Sequence, residues 1–322
     1  MRQLIAYAMS ALVLGAVAYA FAPRSPTALP ATVLHVERMQ INDLSVQQEK
    51  IIAVGERGSI LLSHDGAKTW QQARVSPARG ISLTAVSVVD DQTLVAVGHD
   101  GWIVRSTDQG QTWQEVNYEP ELGEPLLGVW SGSDQHLYAF GSFGKFLHSQ
   151  DGGVSWQAHE VNPDGYHING LAGERDGTLM LVGEQGLVMR SLDAGNSWET
   201  LEPFYNGSLF GIAKLDAERW LAYGMRGHVF VSQDNGNSWQ QVELDHEHPL
   251  YGHVILPQQK GVVLVGAGST LVYLDAKGAL LGNDQHVGAG TLTSAIALNQ
   301  QLLFGGERGV AHGQNNRLAA GH

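Results

Sequence analysis

Ser149-Gln150-Asp151-Gly152-Gly153-Val154-Ser155-Trp156 is one of five copies of the phrase Ser-x-Asp-x-Gly-x-(Thr/Ser)-Trp in this chain. The others begin at Ser63, Ser106, Ser191 and Ser232, and the first has Ala67 where the rest have glycine. The closing residues Trp70, Trp113, Trp156, Trp198 and Trp239 follow at intervals of 43, 43, 42 and 41 residues. A fixed period of about 40 residues in a strand-rich sequence implies a radial or stacked array of like units.

A second marker gives the number of units. Four-residue turns follow apolar runs at Gly55–Gly58, Gly98–Gly101, Gly141–Gly144, Gly183–Gly186, Gly224–Gly227, Gly266–Ser269 and Gly306–Gly309. Seven such turns make seven units, each read as four short strands, a to d. In the second, Leu83 to Val89 is a, Thr93 to Val97 is b, Trp102 to Ser106 is c and Trp113 to Asn117 is d. The third position of each a strand holds Asp43, Ala85, Gly128, Gly170, Gly211, Gly252 or Ser294, and small residues suit a crowded axis. The expected fold is therefore all-β: a single seven-bladed β-propeller of four-stranded antiparallel blades. The seventh unit runs out after strand c. An N-terminal strand, Ala31 to Glu37, is expected to complete it and close the ring.

The expected segments are 1–22 as a signal peptide or membrane anchor, 23–30 as a proline-stiffened linker, 31–317 as the propeller and 318–322 as a disordered tail. Arg2 precedes the uncharged run Leu4 to Ala22, whose small residues Ala18, Ala20 and Ala22 suit a signal peptidase. Left uncleaved, 4–22 is long enough to span a bilayer. Either reading exports the remainder, to the periplasm or, in a photosynthetic host, to the thylakoid lumen. With 32 acidic against 19 basic residues the net charge is −13, which repels nucleic acid and anionic lipid. There is no cysteine, so thiol catalysis, disulfides and iron–sulfur clusters are excluded.

The repeated phrase explains itself structurally. Asp65, Asp108, Asp151, Asp193 and Asp234 can accept amide hydrogens of their own turns, and the tryptophans bury apolar surface. One carboxylate per turn is too few ligands for calcium. These residues resemble the Asp-box, or BNR, repeat family. Asp-boxes occur in sialidases, sortilin-type receptors, xyloglucan-cleaving enzymes and the photosystem II assembly and stability factor family. The last is a single seven-bladed propeller behind an export signal, with blades reading G-x-x-G-x-I/V-x-x-S-x-D-G-G-x-T-W. Gly98 to Trp113 and Gly141 to Trp156 are similar to that pattern, and the resemblance spans 41 to about 313.

Propeller geometry places the c–d turns with the a–b turns on one face. The b–c turns and d–a connectors share the other, where loops are free to bind. The candidate partner-binding residues on that face are Arg57, Arg226, Arg308, His99, Phe143, Tyr166 and Tyr205. The resemblance implies an arginine-rich patch that engages a membrane-protein client; Glu56, Glu307, Asp100 and Glu184 dilute it here. Connector aromatics can anchor a partner or cover the blade tops. His246 and His248 form an H-x-H able to offer two imidazoles to a metal, or to sit as ordinary loop histidines. His253, in a slot that is apolar in neighbouring units, reads as a buried hydrogen-bonded histidine or as one facing the channel.

No catalytic residue, metal or cofactor is assigned. The resemblance to sialidases would imply an Arg-Ile-Pro segment before the first Asp-box, and only Arg24-Ser25-Pro26 exists, in the linker. The expectation is a non-enzymatic, exported, monomeric scaffold that binds a membrane-protein complex or transporter subunit through the b–c/d–a face. The alternatives are a carbohydrate or small-ligand binding module and a sialidase-like glycoside hydrolase.

Overall fold

The computed structural model describes residues 1–21, 34–132, 136–174, 177–299 and 301–313. The expected linker and tail lie outside them. The chain divides into two compact units at Leu34/His35. Among its described residues the first contains one helix, Arg2–Ala20, whose apolar side chains from Leu4 onward are exposed.

The second unit is a seven-bladed propeller. Blade one is built from Ile41–Gln47, Lys50–Gly55, Ile60–Ser63 and Gln71–Gln72, each antiparallel to the next. Blades three to six repeat this order of four. In blade two the strands are Leu83–Val88, Leu94–Gly98, Ile103–Ser106 and Thr112–Asn117, within about one residue of the sequence reading. Strand b is buried along its whole length in every blade but the last, where Gln301 alone is exposed; it therefore reads as a continuous apolar run. Every a strand carries a bulge between its first and third positions.

Two features depart from expectation. Blade two has a fifth strand, because Arg74–Ser76 leaves blade one and pairs parallel to Thr112–Asn117. Blade seven is three-stranded among the described residues: Leu292–Leu298, Gln301–Gly306 and Gly309–Gly313. Of the segment expected to be its fourth strand, Ala31 to Val33 lie outside the described residues. Val36–Arg38 is a 3-10 turn, because Arg38 and Met39 donate their amides back to His35 and Val36. The turn still lies on blade seven, where Gly309 leaves space for the Val36 carbonyl.

The ring closes by direct packing of blade seven on blade one. The Thr293 hydroxyl donates to the Ile41 carbonyl at 2.9 Å. Asn42 to Leu83, Thr84 to Leu126 and Asn169 to Leu209 are equivalent bonds, each from the second residue of an a strand to the next blade. Gly305 brings the two end blades together, with Ile41 and Leu44 packed where a side chain would stand.

The Asp-box turns lock blades to one another. In the second box Ser106 accepts the Gly110 amide and donates to Asp108, while Asp108 accepts the amide and hydroxyl of Thr112. The preceding blade then grips the turn. Lys50 donates to the Gln109 carbonyl, Arg105 to Gly152, Tyr138 to Ala194 and Arg190 to Asn235, all within 2.6–3.0 Å. Hydrogen bonds from Ser155 to Asp151, and from Ser197 to Asp193, hold both carboxyls well below the usual range. In the first box Ala67 sits at φ 67°, the left-handed region that disfavours a side chain. Ala67→Gly is expected to stabilise the protein by about 1 kcal/mol in denaturant unfolding; an unchanged or lower midpoint would contradict this.

Candidate functional site

The Asp-box turns make contacts between blades, and the other face carries the b–c turns and d–a connectors. Its geometry repeats seven times. The amide after the first glycine of each turn donates to the carbonyl just before strand a: Glu56 to Gln40, His99 to Ser82, Ser142 to Pro125, Glu184 to His167, Met225 to Ser208, Ala267 to Pro249 and Glu307 to Thr291, at 2.9–3.2 Å. That carbonyl occupies the place where a β-carbon on the first glycine would stand, in all seven blades. The b–c turns and d–a connectors are thereby tied together on one face.

In six of the seven turns the third residue is left-handed, Arg308 being the exception. Arg57, Asp100, Phe143, Gln185 and Arg226 have φ of 55–56°, and the glycine that follows each is also positive. Two successive left-handed residues make a type I′ hairpin, which matches strand twist but disfavours any side chain at its first position. Arginine and phenylalanine stand there nonetheless, directed away from the blade. Phe143 is 66% exposed, and Arg57 and Arg226 are exposed. Blade seven differs: Arg308 is exposed but reaches back to the Gly288 carbonyl at 3.0 Å.

The candidate residues fall into separate groups. Arg57 and Arg308 lie on neighbouring blades, while Arg226 is two blades from Arg308. Phe143 meets the His167 ring edge-on at 5.0 Å, beside the partly exposed Tyr166. Tyr205 packs against His228 and Phe230 at 4.8 and 5.3 Å; burial pushes its hydroxyl up, and the Arg226 charge opposes this. Phe204 stacks on Trp239, and Arg79 lies over Tyr118 at 3.7 Å. These connector aromatics cover blade tops. His99 is exposed and borders the central channel.

The histidine pair is held by packing. The His248 amide donates to His246 Nδ1, the rings stack at 5.3 Å, and His248 Nδ1 meets Thr270 at 2.9 Å. Among the described residues no group of three or more His, Cys, Asp or Glu is placed to hold a metal.

The central channel has a volume of about 710 Å³. Glycine in the third position of strand a lets a strand b side chain reach over it: Phe140 across Gly128 and Tyr223 across Gly211. The Tyr223 hydroxyl meets His253 Nδ1 at 2.7 Å, so His253 is both hydrogen-bonded and channel-lining. Burial lowers His253 to about 4 and raises Tyr223, so the imidazole is neutral near pH 7. Asp43, the exception in the small-residue series, bridges three blades. Its carboxylate accepts the Leu44 amide (2.8 Å), the Ser294 hydroxyl (2.8 Å) and the Val86 amide (2.9 Å). Burial raises it to about 6 despite these bonds. The sequence signal was its presence at a position otherwise held by Gly, Ala or Ser.

Fold and repeats together define an Asp-box propeller of seven blades. The family model described as photosynthesis system II assembly factor YCF48 matches residues 30–134 and 125–241. The chain belongs to this family. A comparison with curated proteins finds no match. Among solved structures, YCF48 from Cyanidioschyzon merolae superposes with TM-score 0.66 at 16% identity, covering 85% of this chain and 94% of that one. A structure described as YCF48 bound to D1 peptide gives TM-score 0.67 at 17% identity, covering 85% and 90%. The WD40 propeller of Doa1 gives 0.67 at 16% identity, covering 87% and 95%. At these identities the superpositions speak for the fold alone.

Proposed function

We propose that this protein is a non-enzymatic scaffold, acting outside the cytoplasm, that holds a segment of a membrane-protein complex on its b–c/d–a face. The observation that carries the reading is the set of type I′ turns presenting Arg57, Phe143 and Arg226 outward in a conformation that costs stability. The family description as an assembly factor and the peptide-bound relative point the same way. The Asp-box turns of the opposite face serve hydrogen-bonded contacts between blades, while among the described residues the b–c turns make no such bonds with their outward side chains at Arg57, Phe143 and Arg226. A ring tied by backbone bonds at every blade loses little entropy on binding, so a few exposed anchors suffice. The helix Arg2–Ala20 contains an apolar span, Gln3–Ala20, long enough to cross a bilayer, in keeping with an export signal or a tether.

Affinity purification from gently solubilised membranes tests this. The wild-type protein is expected to bring down a membrane-protein subunit. The combined Arg57→Ala, Phe143→Ala and Arg226→Ala variant is expected to recover about tenfold less or worse, at unchanged melting temperature. Recovery of the wild type alone, or equal recovery by the variant, would contradict the proposal.

A further inference from the structure

The central channel is more than the gap left by seven converging strands. It opens on the b–c/d–a face, since Glu56 and His99 from two b–c turns and Gln40 and Ser82 from two connectors form part of its wall. Two carboxylates, Asp43 and Glu56, and two histidines, His99 and His253, line it, and among the described residues no lysine or arginine does. The Asp43 carboxylate is reached from the channel yet enclosed by protein, and its three hydrogen-bond donors are all neutral. An ionised carboxylate accepts about four hydrogen bonds, and among the described residues Oδ2 here receives the Val86 amide alone. On blades five and six Phe210 and Tyr251 stack at 5.4 Å, with Tyr251 37% exposed at the channel wall.

We infer that the channel is a binding site for an organic cation, a primary ammonium or guanidinium on an alkyl stem. Asp43 is its counter-ion, and the Phe210–Tyr251 pair packs against the stem. A buried carboxylate without a cation is costly, and a complementary charge at hydrogen-bond distance relieves that cost. Aromatic faces favour the methylenes and charge of such a ligand. The raised proton affinity of Asp43, about 6, is what an unpaired carboxylate at this depth should show. Two sources share this chemistry: a lysine or arginine side chain presented by a polypeptide, and a free alkyl amine. The inference does not depend on what the rim binds, because a free amine would satisfy it.

The test uses the purified full-length chain with three probes: Nα-acetyl-lysine amide, cadaverine and the uncharged Nα-acetyl-norleucine amide. Calorimetry is expected to show millimolar or tighter binding of at least one cation, with the norleucine probe about tenfold weaker or worse. Tighter binding of the lysine amide assigns a polypeptide side chain, and tighter binding of cadaverine a free amine. Phe210→Ala is expected to weaken the cation about threefold or more. Asp43→Asn should weaken it about tenfold. Because Asp43 also joins three blades, carbonyl-carbon NMR of the unaltered protein supplies a second readout: saturating cation should lower the Asp43 titration midpoint by about one pH unit or more. No cation binding, equal binding of the norleucine probe, or an Asp43 midpoint that stays put would overturn the inference. Failure here with intact capture of a membrane subunit would leave the scaffold proposal standing.

Discussion

Trp113→Ala is expected to destabilise the propeller by about 3–5 kcal/mol, more than the same change at any other Asp-box tryptophan. Trp113 is fully buried, whereas Trp70, Trp156, Trp198 and Trp239 are half-buried. The difference comes from the extra strand of blade two: Val75 stands opposite Trp113 and packs on the cluster that contains it, together with Ala73. The indole N–H also donates to the Gly110 carbonyl at 2.7 Å, a bond that shielding from water strengthens. In Trp156 the same bond is 3.3 Å long and lies nearer solvent. Truncation at Trp156 should therefore cost roughly half as much. Urea unfolding of the two variants decides the matter, and equal losses would contradict the role assigned to Arg74–Ser76.

Gly224→Ala is the second change with a large expected effect, about 3 kcal/mol. Its β-carbon would collide with the Ser208 carbonyl and come within 2.8 Å of Leu209 Cα and 2.9 Å of Phe210 N. All three are backbone atoms, so no side-chain rotation relieves the overlap. The Met225 amide bond to Ser208, which ties turn to connector, would be strained with it. Gly66→Ala provides the contrast. Its φ of +72° disfavours alanine, but nothing lies within 4 Å of the added carbon, so about 1 kcal/mol is expected. Losses of similar size at both positions would show that the carbonyl contact is not what selects glycine at the head of the turn.

Much of this architecture is legible in the sequence because the same local chemistry recurs in every blade. The first glycine of the turn is required by a neighbouring carbonyl and recurs in every blade, while the second sits at a positive φ and recurs in all but blade six, where Ser269 adopts it. The strands of blade two could be placed closely because strand b is buried on both faces. What escaped notice depends on contacts between distant residues. Arg74–Ser76 alternates no more clearly than a loop, and only its parallel partner makes it a strand. The segment Ala31 to Glu37 has the β-branched pattern of a strand, yet at its described end the His35 and Val36 carbonyls accept the Arg38 and Met39 amides in a local turn. At the site, Arg57, Phe143 and Arg226 were visible as outliers in a repeated turn. Their left-handed backbone, and the packing of Tyr205 against His228 and Phe230, needed coordinates. The bridge from Asp43 to blades two and seven joins residues 43 and 251 positions apart, which no short pattern encodes.

Site-specific photo-crosslinking in intact cells tests most directly which face holds the partner. Gln185 and Leu192 belong to one blade, are both exposed, and lie on opposite faces, one on a b–c turn and the other in an Asp-box. A crosslinking amino acid in place of Gln185 is expected to capture a membrane-protein subunit, and one in place of Leu192 to capture none. Capture from Leu192 with none from Gln185, or equal capture from both, would contradict the assignment of the b–c rim as the binding face.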